Sequence, residues 1–202
     1  MARSHQALPS SGPAREALRE KGQFWTPEWV ADAMVAYVMN AGADHIFDPA
    51  VGAGAFFAAA KRVAARLGRT VKLLGTEIDA TALTESRCAG LNEEDLAGVQ
   101  MRDFVLDGPQ RRFSAIVANP PYIRHHRLDA ATKERLQVIA RSVIGRRLDG
   151  RTGYHVFFFL KALDRLERGG DWLLSCQRTL AKGCPLAPCG NGFLRTTALT
   201  LS

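Results

Sequence analysis

Asn119-Pro120-Pro121-Tyr122 ends the apolar run Ser114-Ala115-Ile116-Val117-Ala118, and the chain changes character at that junction. Five small and β-branched residues in a row describe a buried strand. Two prolines directly after it lack the N–H that a strand partner needs and the torsional freedom that a helix needs. The chain therefore leaves the sheet as a stiff, extended turn. That turn presents an amide side chain, a carbonyl with no N–H beside it and an aromatic ring. An amide oxygen next to a carbonyl accepts both hydrogens of one exocyclic amino group, and a neighbouring ring stacks on a flat base. The plainer reading is a proline-stiffened strand exit with a solvated amide. The residues upstream decide between the two.

Working outward, the same pattern of strand followed by polar residue recurs. His45-Ile46-Phe47-Asp48 reads as a first strand, Val71 to Thr76 as a second ending at Glu77, and Val99-Gln100-Met101 as a third ending near Asp103-Phe104. Asp171 to Cys176 reads as a fifth. Helices fall between them: Ala55 to Leu67 stopped by Gly68, Ala80 to about Glu94 weakened by Gly90, Thr132 to Ile144, and Tyr154 to Arg168 closed by Gly169-Gly170. Ahead of the first strand, Thr26 is placed as an N-cap, with Pro27 at the first helical position and Glu28 at the positive end of the dipole. That helix is expected to run to about Asn40, with Val30, Met34, Tyr37 and Val38 on one face. Strands alternating with helices imply an α/β fold, a Rossmann-like, doubly wound, mostly parallel sheet covered on both faces. Such sheets bind ligands at the carboxyl ends of their strands. Asp48, Glu77, Asp103 and Asn119 all fall at that edge. A polar turn residue accounts for any one of them, and accounts poorly for four together.

Gly52-Ala53-Gly54, after the first strand, makes a tight turn whose backbone approaches a ligand closely. No Gly-Lys-Ser/Thr follows, so it is not a Walker loop, and Phe57 stands where a third glycine of GxGxxG would fall. Glu77, roughly 25 residues on, is placed to accept hydrogen bonds from ribose hydroxyls, as acidic residues at this point do in dinucleotide folds. Asp103 is placed to accept from an adenine amino group, with Phe104 against the ring. Together they outline a nucleoside pocket without a Walker-type phosphate site, and Asn119 opens from its end.

Composition sets the bounds. The 202 residues, 47% hydrophobic and 23% charged, suffice for one ordinary globular domain with a full core. No apolar run approaches the ~20 residues of a membrane span, and Met1 to His5 lacks a signal peptide's apolar segment. No membrane association is expected, and a cytoplasmic location is the default. Cys176, Cys184 and Cys189 form no CxxC pair and have no histidine pair beside them, so no metal site is expected. Residues 1–12 read as a leader and Pro13 to Lys21 as a short helix. The net charge is +7. Residues 123–151 hold eight Lys/Arg against three acids, whereas residues 23–122 hold nine against twelve. Positive charge thus begins directly after the Pro-Pro turn, with Arg124, His125 and Arg127 first. A phosphate-facing surface requires that arrangement, and a solvated basic face is its plainer alternative.

In this order the motifs resemble those of S-adenosylmethionine-dependent DNA adenine-N6 methyltransferases of the NPPY group, of restriction-modification type. Gly22 to Pro27 resembles the motif ahead of the first strand. Asp48-Pro49-Ala50-Val51-Gly52-Ala53-Gly54-Ala55-Phe56 resembles the methionine-binding loop, and Glu77, Asp103-Phe104 and Asn119 to Tyr122 follow in family order. The resemblance spans residues 22–176. It implies a class I methyltransferase fold, S-adenosyl-L-methionine as cofactor and DNA as substrate. Phe24, Thr26, Asp48, Pro49, Ala50, Gly52, Gly54, Glu77, Asp103 and Phe104 would form the cofactor site. Asn119, Pro120, Pro121 and Tyr122 would form the catalytic turn, acting on an adenine flipped out of the duplex and stacked on Tyr122.

Members of that family continue past the fifth strand with two more strands and usually a separate target-recognition domain. Here 26 residues follow Cys176, and they contain no acidic residue and no recognisable periodicity. The expected organisation is therefore a leader and short helix over 1–21, a catalytic domain over 22–176, and an atypical tail over 177–202 that replaces the last strands. Truncation is the leading explanation, with an incomplete sheet and poor solubility as consequences. A naturally minimal enzyme that borrows recognition from a specificity subunit or separate recognition domain is the competitor. Other readings are an inactive remnant that binds only cofactor or DNA, an N4-cytosine, RNA or protein-glutamine methyltransferase, and a nucleotide-binding oxidoreductase. The last leaves the Asn-Pro-Pro-Tyr turn without a role.

Overall fold

The computed structural model describes residues 26–174 and 194–195. The expected leader, the helix over 13–21, Phe24, Cys176 and most of the tail lie outside them. In chain order the elements are α1 (Glu28–Asn40), β1 (His45–Asp48), α2 (Ala55–Leu67), β2 (Lys72–Glu77), α3 (Ala80–Cys88), α4 (Glu93–Leu96), β3 (Val99–Met101), α5 (Phe104–Asp107) and β4 (Phe113–Ala118). A 3-10 turn at His125–Arg127 follows, then α6 (Ala130–Ile144), α7 (Tyr154–Asp164), β5 (Leu166–Leu174) and β6 (Leu194–Arg195). The sheet order is β3-β2-β1-β4-β5-β6. The first five strands are parallel, and β6 pairs antiparallel with β5. The order reverses between β1 and β4, so Asp48 and Asn119 leave neighbouring strands at the switch point, where doubly wound sheets hold their ligands.

Alternation along the central strands divides the core. Ile46, Ala115 and Val117 face α1 and α2, packing with Met34, Val35, Val38, Phe56, Ala60 and Val63. Phe47, Ile116 and Ala118 face α5, α6 and α7, packing with Phe104, Leu136, Ala140, Phe157 and Phe158. Phe47 and Phe113 stack with centroids 3.7 Å apart. Both faces are covered, which is why the strands read as unbroken apolar runs. Outside the core, Arg62 of α2 reaches Asp32 of α1 at 2.6 Å. Among the described residues no helix is long and apolar enough to cross a membrane.

Several boundaries differ from expectation. Pro27, not Thr26, is the N-cap of α1, at φ −56°, ψ 142°, and no side chain caps the helix. The buried face of α1 is Ala31, Met34, Val35, Val38 and Met39, while Tyr37 is exposed and Val30 half-buried. The helix expected over Ala80 to Glu94 breaks after Cys88, because Gly90 takes φ +99°. Asp129 caps α6, starting it two residues before Thr132. The largest difference is at β5: α7 ends at Asp164, and the strand begins at Leu166 and runs through Gly169-Gly170. A bulge makes this possible, with Phe113 opposite Leu166 but Ala115 opposite Asp171, and Gly169 at φ +78° absorbs the extra residues. Residues 194–195, from the tail expected to carry no strand, pair with Leu173 and Leu174.

Candidate functional site

The carboxyl ends of the parallel strands open into a cleft of about 500 Å3, lined among others by Thr26, Pro49, Ala50, Gly52, Glu77, Asp103, Phe104, Asn119 and Pro121. These expected site residues thus converge from four strand ends and from the segment preceding α1, whereas Asp48, Gly54, Pro120 and Tyr122 do not line the cleft. Gly54 is the N-cap of α2 at φ +78°, adjoining the cleft wall. An added Cβ there would lie 2.4 Å from Leu91 Cδ1 and 3.1 Å from Ser86 Oγ, and Gly52 is also left-handed at φ +55°. At Gly54 the backbone therefore runs where no side chain fits, and at Gly52 it takes a conformation that a side chain would strain. Ser86 Oγ donates to Gly52 O at 2.8 Å, and Thr76 Oγ1 to Pro49 O at 2.7 Å, holding the loop from both sides.

Two acidic residues organise the loop differently. Asp48 is fully buried beneath it and does not line the cleft. Its Oδ1 accepts from Ala50 N at 3.0 Å, and its Oδ2 has no hydrogen-bond partner. Burial pushes its carboxyl up to about 8, opposed by the Ala50 N–H and assisted by the charge of Glu77. Glu77 does line the cleft. Its Oε2 accepts from Gly52 N at 2.7 Å, and its Oε1 from Ile78 N at 2.7 Å and Asp79 N at 2.9 Å. One carboxylate thus ties the glycine loop to the end of β2, a structural duty the sequence did not disclose.

Asp103 caps α5, and its Oδ1 accepts from Val105 N and Leu106 N, both at 2.8 Å. Phe104 is buried against Phe47 and Phe158, with centroids 5.7 and 5.0 Å away. Of the turn Asn119 to Tyr122, the acceptor turn for its amide and carbonyl oxygens, Asn119 and Pro121 line the cleft, Pro120 is buried, and Tyr122 is half-buried, its ring 5.6 Å from that of His155 at an interplanar angle of 40°. Asn119 Nδ2 donates to Thr26 Oγ1 at 3.2 Å, joining the acceptor turn to the residue before Pro27 across 93 positions. Arg124 and Arg127 are exposed and His125 half-buried on the 3-10 turn beyond.

Ile78, Glu85, Arg102 and Tyr154 are among the lining residues that escaped the sequence reading. Ile78 is 68% exposed although apolar, and lies at the cleft. Its signal was available, since an isoleucine directly after a strand-ending acid has no core to enter. Glu85 and Arg102 gave none. Tyr154 was read only as a helix start, yet its hydroxyl donates to Asp103 Oδ1 at 2.6 Å. His155 beside it is shifted below the ordinary imidazole range by burial. Among the described residues no cluster is suited to a metal ion.

The sequence profile of the N-6 DNA Methylase family matches residues 11–171. The type II methyltransferase M.XamI of Xanthomonas campestris pv. amaranthicola is 25% identical over 173 residues, 83% of this chain and 32% of that protein. The chain spans about a third of the length of that curated relative. The type I restriction-modification system methyltransferase subunit of Streptococcus thermophilus superposes with a TM-score of 0.57 at 19% identity, covering 80% of this chain and 37% of that one. A candidate class I S-adenosylmethionine-dependent methyltransferase from Listeria monocytogenes gives 0.59 at 15% identity, over 79% and 48%. At those identities the likeness is one of fold, the Rossmann-like α/β sheet of class I methyltransferases. The profile match runs from before α1 into β5 and takes in every strand end that contributes to the cleft: the chain belongs to the N-6 DNA methylase family.

Proposed function

We propose that this cleft binds S-adenosyl-L-methionine and that the chain is the catalytic part of a DNA methyltransferase, acting on the N6 amino group of an adenine held outside the duplex. One observation carries the reading: Glu77, Asp103 and Phe104 share a single cleft with Asn119 and Pro121. The residues fit the cofactor. Asp48 Oδ2, without a hydrogen-bond partner beneath the loop that lines the cleft, would attract the cofactor's ammonium group across that loop without touching it. The left-handed glycines let the backbone pass close to its methionine moiety. Glu77 keeps lone pairs for ribose hydroxyls after accepting its backbone bonds. Phe104 offers an apolar edge to a purine. When bound, the cofactor supplies an electrophilic methyl group on a sulfonium sulfur.

The chain's own residues act on the nucleophile. The N6 lone pair of adenine is delocalised into the ring. Hydrogen bonds from N6–H to the Asn119 side-chain oxygen and to the Pro120 carbonyl would draw the nitrogen towards tetrahedral geometry and free the lone pair. Thr26 Oγ1, accepting from Asn119 Nδ2, holds the amide with its nitrogen turned to the protein. The Pro-Pro backbone fixes the carbonyl. Tyr122, backed by neutral His155, would stack on the flipped base. Transfer then rests on positioning and on fixed dipoles, and the methylated nitrogen loses its extra proton to water. DNA is the proposed partner, with Arg124, His125 and Arg127 towards its phosphates, and a specificity subunit or separate recognition domain would read its sequence. The setting for this chemistry is the cytoplasm.

The test is titration of the folded chain with S-adenosylmethionine, followed by methyl transfer to DNA. Saturable binding is expected. Asn119→Ala should keep that binding and lose about 100-fold or more in transfer, the scale of removing one fixed polar partner from a transition state. A folded wild-type chain that does not bind the cofactor would overturn the reading.

A further inference from the structure

Asp103 collects one more donor than its capping role needs. Val105 N and Leu106 N already satisfy the start of α5, yet the Tyr154 hydroxyl joins them on the same oxygen at 2.6 Å, from 51 residues away. Three donors on Oδ1 fix the plane of the carboxylate and leave Oδ2 as the acceptor for a cleft that Asp103, Phe104 and Tyr154 line together. Tyr154 is itself immobile: 6% exposed, first residue of α7, its N–H donating to Ile123 O at 3.0 Å directly beyond the acceptor turn. Burial and the charge of Asp103 raise its hydroxyl far above the usual phenol range, so it remains a donor at every working pH. Without it the Asp103 side chain would keep two backbone bonds but lose the one that comes from outside its own turn.

We propose that Tyr154 is a specificity-determining positioning residue, whose hydroxyl locks the Asp103 carboxylate so that Oδ2 accepts from the exocyclic 6-amino group of the cofactor's purine. Resting on the cofactor reading above, this makes the pair selective for an adenosine over an inosine moiety. A 6-oxo group offers no hydrogen and sets its own oxygen against Oδ2.

The experiment compares affinities of the chain for S-adenosylhomocysteine and S-inosylhomocysteine in wild type, Tyr154→Phe, Asp103→Asn and the double variant. Wild type should prefer the adenosine compound by at least about tenfold, the scale of one hydrogen bond to a charged group. Tyr154→Phe keeps the ring and should cut the preference to below about threefold, chiefly by weakening the adenosine compound. Asp103→Asn should do the same, and the double variant should go no further than either single one. Tyr154→Met, which lacks the hydroxyl on a flexible chain, must show the same collapse. Full selectivity in folded Tyr154→Phe or Tyr154→Met, or none in wild type that binds both compounds, overturns this proposal and leaves the cofactor site standing. A folded wild type that binds neither compound overturns the cofactor site and the proposal together.

Discussion

A carboxylate enclosed on every side, with one oxygen bonded and the other bare, resists ionisation, and Asp48 is that group. Its carboxyl is raised to about 8, by burial first, with the Ala50 N–H opposing and Glu77 adding to the rise. The unfolded chain ionises the same group near about 3.9. Between those values the folded state holds a proton that the unfolded state has lost, so this site's contribution to stability falls as pH rises from about 4 to about 8. Asp48→Asn cannot ionise. The melting temperature of the variant, measured against wild type, should therefore gain several degrees between pH 6 and pH 8.5, on a scale of roughly 2–4 °C per kcal/mol for a chain of this size. A constant gap across that range would remove Asp48 as the titrating group. The same argument links ligand and proton. A cationic ammonium in the cleft above the loop lowers the carboxyl again through its field, so S-adenosylmethionine binding near pH 7 should release a proton. Calorimetry in buffers of different ionisation enthalpy reads this directly, and Asp48→Asn should abolish it.

At the scale of elements, the loop from β1 into α2 is held more tightly than its composition shows. Gly54→Ala forces a side chain into a left-handed residue, at about 1–2 kcal/mol, and drives its Cβ against Leu91 and the Ser86 hydroxyl that anchors Gly52. Lower thermal stability and weaker cofactor binding should appear together, whereas Gly42→Ala, with open space around it, should pay only the backbone strain. A second clamp is Gln137, buried in α6. Its Nε2 donates to Leu148 O at 3.1 Å and its Oε1 accepts from Leu148 N at 2.8 Å, pinning the segment between α6 and α7. Gln137→Leu should speed hydrogen exchange and proteolysis over residues 146–152 while the melting temperature moves little. What was legible in sequence follows from the range of each determinant. α2 and its stop at Gly68 are local, a capping glycine at φ +62°, and were read to the residue. The start of β5 is not local. Glycines that look like a helix stop belong to a bulge whose register is set by β4, where Phe113 faces Leu166 and Ala115 faces Asp171. The places of Asp48, Glu77, Asp103 and Asn119 at one edge of the sheet were legible because strand ends are. Tyr154 and Thr76 were not, because their roles are hydrogen bonds to distant partners.

Across the whole molecule, charge is sorted around the cleft. Among the described residues Glu77, Asp79, Glu85 and Asp103 line it with Arg102 as the only basic lining residue, so this wall of the pocket is acidic and suits a cationic ligand. The segment just beyond the acceptor turn is basic, with eight Lys/Arg against three acids over residues 123–151. Not all of that charge is available. Arg147 is committed to Glu134 at 2.6 Å, which holds that carboxyl below the usual range, and Asp149 is held low first by the Arg151 backbone N–H and then by the Arg151 side chain at 3.3 Å. Arg124 and Arg127 are exposed on the 3-10 turn that leads directly from Tyr122. If that turn lies along a nucleic-acid backbone, each arginine releases counterions on binding, and affinity falls with salt. Arg124→Ala and Arg127→Ala should each weaken binding to duplexes of unrelated sequence by a similar factor and lower the slope of log affinity against log salt concentration by about 1. Affinity for S-adenosylmethionine should not change, since neither residue lines the cleft. Arg147→Ala serves as the control, because its charge is already neutralised by Glu134. Equal salt slopes in all three variants would mean that the basic segment is a solvated face, and the phosphates would have to be sought on another surface.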